Sequence, residues 1–390
     1  MNIENIRKNT IGCHNKLFFN SAGASLMPNI VVEQMNSYLA FEQNFGGYAV
    51  NNIKSNEIEK FYIETAKLLN TKPNNIAFAN SATDAFSRAL SSITFQAGDC
   101  IITSDDDYVS NQFAFFSLRN RYKIQLIRTQ NLENGDIDLA DFEQKVVQYR
   151  PKLIAITHIP TNTSKIQDVV SIGKICNNYD TLYLVDACQS VGHMPVDVQE
   201  IGCDFLSATG RKFLRGPRGT GFLYISDKVL QADMTPIYID LKGADWQTPE
   251  EYIPLKTATR FENFEAPFDS LVGLGFAIEY ANNIGLENIF SYNQLLTNEL
   301  RALLSEIEGV TLYDFGSNLA NFVTFYHSKV SLESLLNHLN QNQVFCSFSQ
   351  PRNAMIDFEK KGVEWVVRLS PHYFNTMDEI KSVAEIIKSV

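Results

Sequence analysis

The sequence predicts an α/β protein in which a mostly parallel, seven-stranded sheet forms a large domain and a smaller α+β domain follows it. Three observations carry that expectation. Seven short apolar runs, Ile76–Ala79, Cys100–Thr103, Ile124–Arg128, Leu153–Thr157, Leu182–Val185, Phe205–Leu206 and Gly221–Ile225, read as buried strands. Helical patterns lie between several of them, at Ala82–Phe95, Asn111–Tyr122, Leu139–Tyr149 and Val169–Asn177. Continuous apolar strands with crossover helices indicate a parallel sheet covered on both faces, whose ligand sites lie beyond the carboxyl ends of its strands. After Pro267 the pattern changes. Helical stretches Ser270–Ile284 and Leu286–Glu306 lead to separated strands near Asn321–Phe325, Val344–Phe348 and Trp365–Leu369, and a helix at Met377–Ile387 closes the chain. The expected division is therefore a large domain over 16–266 and a small one over 267–390, with segment 1–15 packed against the latter.

The chain has 390 residues, 45% apolar and 20% charged, which suits a soluble globule with a sizeable core. Its net charge of −11 does not favour nucleic acid or an anionic membrane surface. The six cysteines, Cys13, Cys100, Cys176, Cys188, Cys203 and Cys346, are scattered without a CxxC pair, so no metal site is expected and a reduced, cytoplasmic chain is. MNIENIRKNTIG lacks the apolar centre of a signal peptide, and no apolar run approaches the ~18 residues of a membrane span.

The chemistry concentrates between Thr181 and Gly221. The buried run Leu182–Val185 ends abruptly in Asp186, with Gln189 three residues on. A carboxylate at the end of a buried strand is costly unless paired, for example with a protonated heteroaromatic nitrogen; alone, it equally reads as a turn cap. Then comes TGRKFLRGPRGTGFLYI, where Lys212 lies between two apolar strands among Arg211, Arg215 and Arg218. Neighbouring cations disfavour its ammonium form and free the amine to attack an aldehyde. A surface basic loop is the plainer alternative, and the shortness of the cluster between core strands argues against it. Asn80–Asp84, between a strand and an amphipathic helix, is either an ordinary N-cap or an anion site at a helix start.

YLVDACQSVGHMPVDV and DFLSATGRKFLRGPRGTGFLY, with their D-x-x-Q and K-x-x-x-G-P-x-G elements, resemble the pyridoxal-phosphate enzymes of aminotransferase class V. The likeness runs from FFNSAGASLMP to VVRLSPHYFNTMDEI. It implies PLP fold type I and a site at a homodimer interface. By this resemblance Lys212 forms the Schiff base with the cofactor, Asp186 pairs with the pyridine N–H and Gln189 bonds the phenolic oxygen. Ala82, Thr83, Thr209 and Arg211 hold the phosphate, Tyr108 covers the ring face, Asn162 lies in a loop near the ring, and Arg368 binds the substrate carboxylate. Arg211 stands where many relatives carry histidine.

The class motifs are common to transamination, epimerisation and β-elimination. Desulfuration, which needs a nucleophilic thiol on the loop ahead of the carboxylate-binding arginine, is disfavoured, since Phe348–Gly362 holds no cysteine and Cys346 lies in the strand pattern VFCSF. Glu265, where desulfurases have a phosphate-binding threonine given by the neighbouring subunit, together with GGYAV and RLSPHYFNT, resembles the branch of ergothioneine-pathway C–S lyases and isopenicillin N epimerase-like proteins. The leading expectation is a C–S lyase acting on a cysteine-derived thioether or sulfoxide, with an aminotransferase or epimerase as alternative. A non-catalytic binding protein of the same fold predicts loss of Lys212 or Arg368, and both are present.

Overall fold

The computed structural model describes residues 1–390. The large sheet has seven strands: β1 (Ile76–Ala79), β2 (Cys100–Thr103), β3 (Gln125–Arg128), β4 (Leu153–Thr157), β5 (Leu182–Asp186), β6 (Phe205–Thr209) and β7 (Gly221–Ile225). Their spatial order is β1-β7-β6-β5-β4-β2-β3. Pairing is parallel from β6 through β3 and antiparallel on both sides of β7. Six of the strands thus run one way, as the mostly parallel expectation requires. The apolar runs do not tell β7 from the rest, because a strand buried on both faces looks alike in either direction.

Every residue of β1, β2, β4, β6 and β7 is buried, so apolar side chains pack on both faces. On one face Phe61, Phe78, Phe142, Val185 and Leu206 belong to one apolar core; on the other Phe86, Phe115, Leu184 and Phe205 belong to a second. At roughly 25 cal/mol per Å² of apolar surface removed from water, such two-sided burial is the main drive for folding.

The strands end in register. Thr157 pairs with Asp186, and Asp186 with Ser207, so three polar side chains stand together at the carboxyl edge. β2 lies between β4 and edge strand β3, so the chain switches sides between β2 and β4, and the turns after those strands part there to leave a crevice.

A second sheet of four strands forms from β8 (Val310–Leu312), β9 (Val323–His327), β10 (Ser347–Ser349) and β11 (Val366–Leu369), in the order β8-β9-β11-β10, all antiparallel. The run expected as one strand at Val344–Phe348 is broken at Cys346. Val344–Phe345 pairs in parallel with Leu17–Phe18 of the N-terminal segment, and β10 begins at Ser347. The helix Phe268–Ile284 turns Leu271, Leu274 and Ile278 into the core of the large sheet. Ile6 and Cys13 pack with Ala281, Ile289, Tyr373 and Phe374, which ties the N-terminal segment to both parts. Sequence periodicity did not single out the helices Asn29–Phe45 and Ser55–Leu69 or the exposed hairpin Ala244–Thr248/Glu251–Pro254.

Candidate active site

At the switch point opens a cleft of about 540 Å³, mouth included, lined by Ser81, Ala82, Thr83, Tyr108, Asn111, Thr157, Ile159, Thr161, Asp186, Cys188, Gln189, Thr209, Arg211 and Lys212. Eight of the residues expected at the site thus share one wall system: Ala82, Thr83, Tyr108, Asp186, Gln189, Thr209, Arg211 and Lys212.

Asp186 ends β5 at the floor. Its Oδ2 accepts from Asn111 Nδ2 at 2.9 Å and its Oδ1 from the Cys188 N–H at 3.0 Å. These donors fix the carboxylate plane. Beneath it, burial pushes Asp107 up to about 7, with Asp106 and Asp186 adding to the rise. Asp107 Oδ1 accepts from the Thr157 N–H at 3.0 Å, which locks the 105–108 turn to the end of β4 and sets Tyr108 at the mouth, 39% exposed.

Lys212 follows β6 and is buried, yet it makes no ion pair or side-chain hydrogen bond with any protein group. Burial lowers its pKa; Arg211 and Arg368 add to the fall, while Cys188 and Asp186 oppose it. The turn that carries it is anchored by Arg211, whose Nη1 donates to Gly23 O, and by the Ser25 N–H donating to Arg211 O at 2.8 Å.

Across the cleft, helix Ala82–Ser91 is capped by Ser81, whose Oγ accepts from the Asp84 N–H at 3.1 Å. The N–H groups of Ala82 and Thr83 have no intrahelical acceptor and point an anion site at the cleft. Gly221 makes this close approach possible: a Cβ there would sit 2.9 Å from Ala82 N.

Arg368 and Asn162 lie just behind this wall. Arg368 is buried on β11, donates from Nη1 to Thr161 O at 3.0 Å and leaves Nε without a partner. Burial and the Arg211 charge bring its pKa down to about 10. Asn162 is buried with Oδ1 unpartnered, and its carbonyl accepts from Lys361 Nζ at 2.5 Å. Thr161, one residue earlier, lines the cleft instead. Sequence reasoning also passed over Asn111 and Cys188. Asn111 lies one helical step past Tyr108, and only its contact with Asp186 reveals it.

A profile of the aminotransferase class-V family matches residues 17–383. The chain belongs to that family. As a class-V protein it is a pyridoxal-phosphate enzyme, and the site fits the cofactor on its own terms. Lys212 is unpaired, Gln189 leaves Oε1 without a partner while Nε2 donates to Ala22 O at 3.2 Å, and the Ala82–Thr83 turn stands over the glycine-floored β7. This class-V chain is 27% identical to a probable cysteine desulfurase of Methanothermobacter thermautotrophicus over 100% of its length and 98% of the relative's. A probable cysteine desulfurase of Pyrococcus abyssi is 26% identical, over 99% and 98%. Among solved structures, the apo cysteine desulfurase of Thermococcus onnurineus superposes with a TM-score of 0.92 at 25% identity, covering 100% and 98%. The cystine C–S lyase C-DES in complex with its product cysteine persulfide has the same fold, with a TM-score of 0.86 at 21% identity over 97% and 99%.

Proposed function

We propose that this class-V enzyme is a C–S lyase that breaks the Cβ–S bond of a cysteine-derived thioether, sulfoxide or disulfide. The observation that carries the reading is the state of the thiols beside a complete amine site. Cys346 precedes Ser347, the residue paired with Arg368, and burial pushes its thiol up to about 12. Cys188 lies in the cleft wall, and burial together with Asp186 raises its thiol strongly. The segment Gln350–Gly362, between β10 and β11, holds no cysteine. Sulfur transfer onto the enzyme needs a thiolate on an accessible loop, whereas both of these thiols are half-buried and have raised pKa values.

Lys212, Asp186, Gln189, Thr209, Arg211, Tyr108 and the Ala82–Thr83 turn would hold the cofactor, with Thr161 beside them and Asn162 behind it. Bound there, pyridoxal phosphate supplies an electron sink that makes the amino acid's Cα–H acidic. Arg368 reads the substrate carboxylate through a fixed fork. The Lys212 amine, whose pKa is lowered by burial and further by Arg211 and Arg368, takes the Cα proton. Asp186, held in place by Asn111 and the Cys188 N–H, presents its carboxylate at the floor. In net balance, R–S–CH2–CH(NH3⁺)–COO⁻ and water give R–SH, pyruvate and ammonium.

The relatives named as desulfurases support a second reading, sulfur removal from L-cysteine itself. Transamination and epimerisation share the same first proton transfer. Product analysis separates all four: S-substituted cysteines or cystine should give stoichiometric pyruvate and ammonia. Alanine with sulfane sulfur from L-cysteine would establish desulfuration, amino transfer to a keto acid would establish transamination, and inversion at Cα without loss of any group would establish epimerisation.

We also propose a homodimer in the cytoplasm. The hairpin Ala244–Pro254 stands out with Trp246 79% exposed and Tyr252 and Ile253 half-exposed, an apolar face suited to a second copy. All six cysteines are free, and no helix is long and apolar enough to cross a membrane. The two domains are proposed to span 16–266 and 267–390, with the helix Phe268–Ile284 packing its Leu271, Leu274 and Ile278 into the core of the large sheet.

A further inference from the structure

The segment RLSPHYFNT carries Arg368 and, four residues on, His372. His372 is fully buried, and both ring nitrogens are engaged. Nδ1 lies 3.0 Å from Asn293 Nδ2, on the helix Leu286–Ser305, and Nε2 lies 2.8 Å from the carbonyl oxygen of Phe213. An amide nitrogen only donates and a carbonyl only accepts. One ring state satisfies both neighbours: neutral, with the proton on Nε2 and the lone pair on Nδ1. Burial and the Arg215 charge hold the ring well below its ordinary pKa, which agrees with that state.

Phe213 is the residue directly after Lys212. Its ring is wedged between His193, at 4.2 Å between centroids, and His372, at 5.1 Å. The segment on the other side of His372 is just as firmly tied. Ser370 accepts at its carbonyl from the Ser21 N–H at 3.1 Å and at Oγ from the Ala22 N–H at 3.0 Å. The His372 N–H donates to Asn375 Oδ1 at 2.9 Å. A single side chain therefore joins the peptide beside the buried amine to the strand end that carries the buried guanidinium.

We propose that His372 is a positioning residue, a strut from the C-terminal part to the Phe213 carbonyl that fixes Lys212 relative to Arg368. It touches neither substrate nor cofactor. Its work is to set where the lysine amine stands once the amino acid's carboxylate is seated, acting directly at the Phe213 carbonyl, whereas the Ser21–Ser25 segment ties Ser370 only to Arg211. The inference rests on the roles proposed above for Lys212 and Arg368.

Geometry supplies the test. A glutamine amide nitrogen falls near the position of Nε2 and can still donate to Phe213 O, whereas an asparagine falls near Nδ1 and cannot. Holoenzymes of wild type, His372→Gln and His372→Asn are mixed with glycine, which carries no β-substituent. The rate and half-saturation of the cofactor's absorbance change are then followed by stopped flow. His372→Asn should slow that change about 10- to 100-fold, the scale of an ångström misplacement, with half-saturation little altered, and His372→Gln should stay within about threefold of wild type. Equal rates in the two variants, fast or slow, would overturn the strut, as would a rate gap that merely follows a gap in melting temperature. If glycine elicits the change and no S-substituted cysteine is eliminated, the reaction assigned above fails while the strut stands.

Discussion

Two regions of this molecule bury lysine side chains, and they treat them in opposite ways. Beside the mouth of the cleft, Lys165 pairs with Asp106 at 2.6 Å and Lys361 with Asp357 at 2.8 Å, their side chains 3% and 2% exposed. At the floor, Lys212 is almost as deeply buried but has guanidinium neighbours and no ion pair. An ammonium taken out of water needs a carboxylate close by; without one, the equilibrium moves to the free amine. The first region uses lysine to hold loops in place. The second, on the function proposed above, uses it as a nucleophile and base. Burial alone does not mark a reactive lysine; burial without an ion pair does.

The pairs at the mouth serve the site indirectly. Lys361 grips the Asn162 carbonyl, Arg368 grips the Thr161 carbonyl, and Lys165 and Asp106 join the loop after β4 to the turn that ends in Tyr108. Breaking one of them is the largest change the comparison predicts. Lys165→Met strands Asp106 in the interior and should cost about 3–5 kcal/mol in urea unfolding. A loss below about 1 kcal/mol would show that water already reaches the pair.

Arg368→Ala should lower kcat/KM for amino acids about 10- to 100-fold, chiefly through KM, with the cofactor's absorbance retained. Equal losses of substrate affinity and cofactor retention would point to a folding role.

Histidines buried behind the lysine make the site acid-labile. Burial brings His158 down to about 4 and His193 to about 3. Unfolded imidazoles titrate near 6.5. From about pH 6.5 to 4 the unfolded chain binds protons that the folded one excludes, so stability falls as pH falls, by up to about 1.4 kcal/mol per unit for each ring. Asp107 and Asp357, pushed up by burial to about 7 and about 6, take protons in the folded chain over the same range and work the other way. Asp107→Asn should therefore make the melting temperature fall more steeply between pH 6.5 and 5 than in wild type, and an unchanged slope would place water or a counter-charge at these groups.

The smallest effect sharpens the contrast between inert thiols and the reactive amine. Cys346→Ser should change the elimination rate less than about threefold. A severe loss would restore sulfur transfer through an enzyme thiol.

Much of the fold was legible because its strands are continuous apolar runs with abrupt ends. Asp186 announces itself by following Leu182–Val185, and Lys212 by standing among cations between two buried strands. Asn111 and Thr161 gave no such sign: one is a polar residue early in a helix, the other lies in a loop whose register depends on contacts from β11 and the helix Met355–Lys361. The direction of β7 was hidden for a related reason, since pairing partners decide it and its own residues do not. His372 was visible only as part of a motif, and its role needs the Phe213 carbonyl to be seen.

The most direct test of the account is to reduce the holoenzyme with borohydride, digest it and map the modified peptide. With Lys212 the one unpaired buried amine, the cofactor should be found on Lys212 alone. A label on Lys165 or Lys361, or a reducible adduct that survives Lys212→Ala, would contradict it.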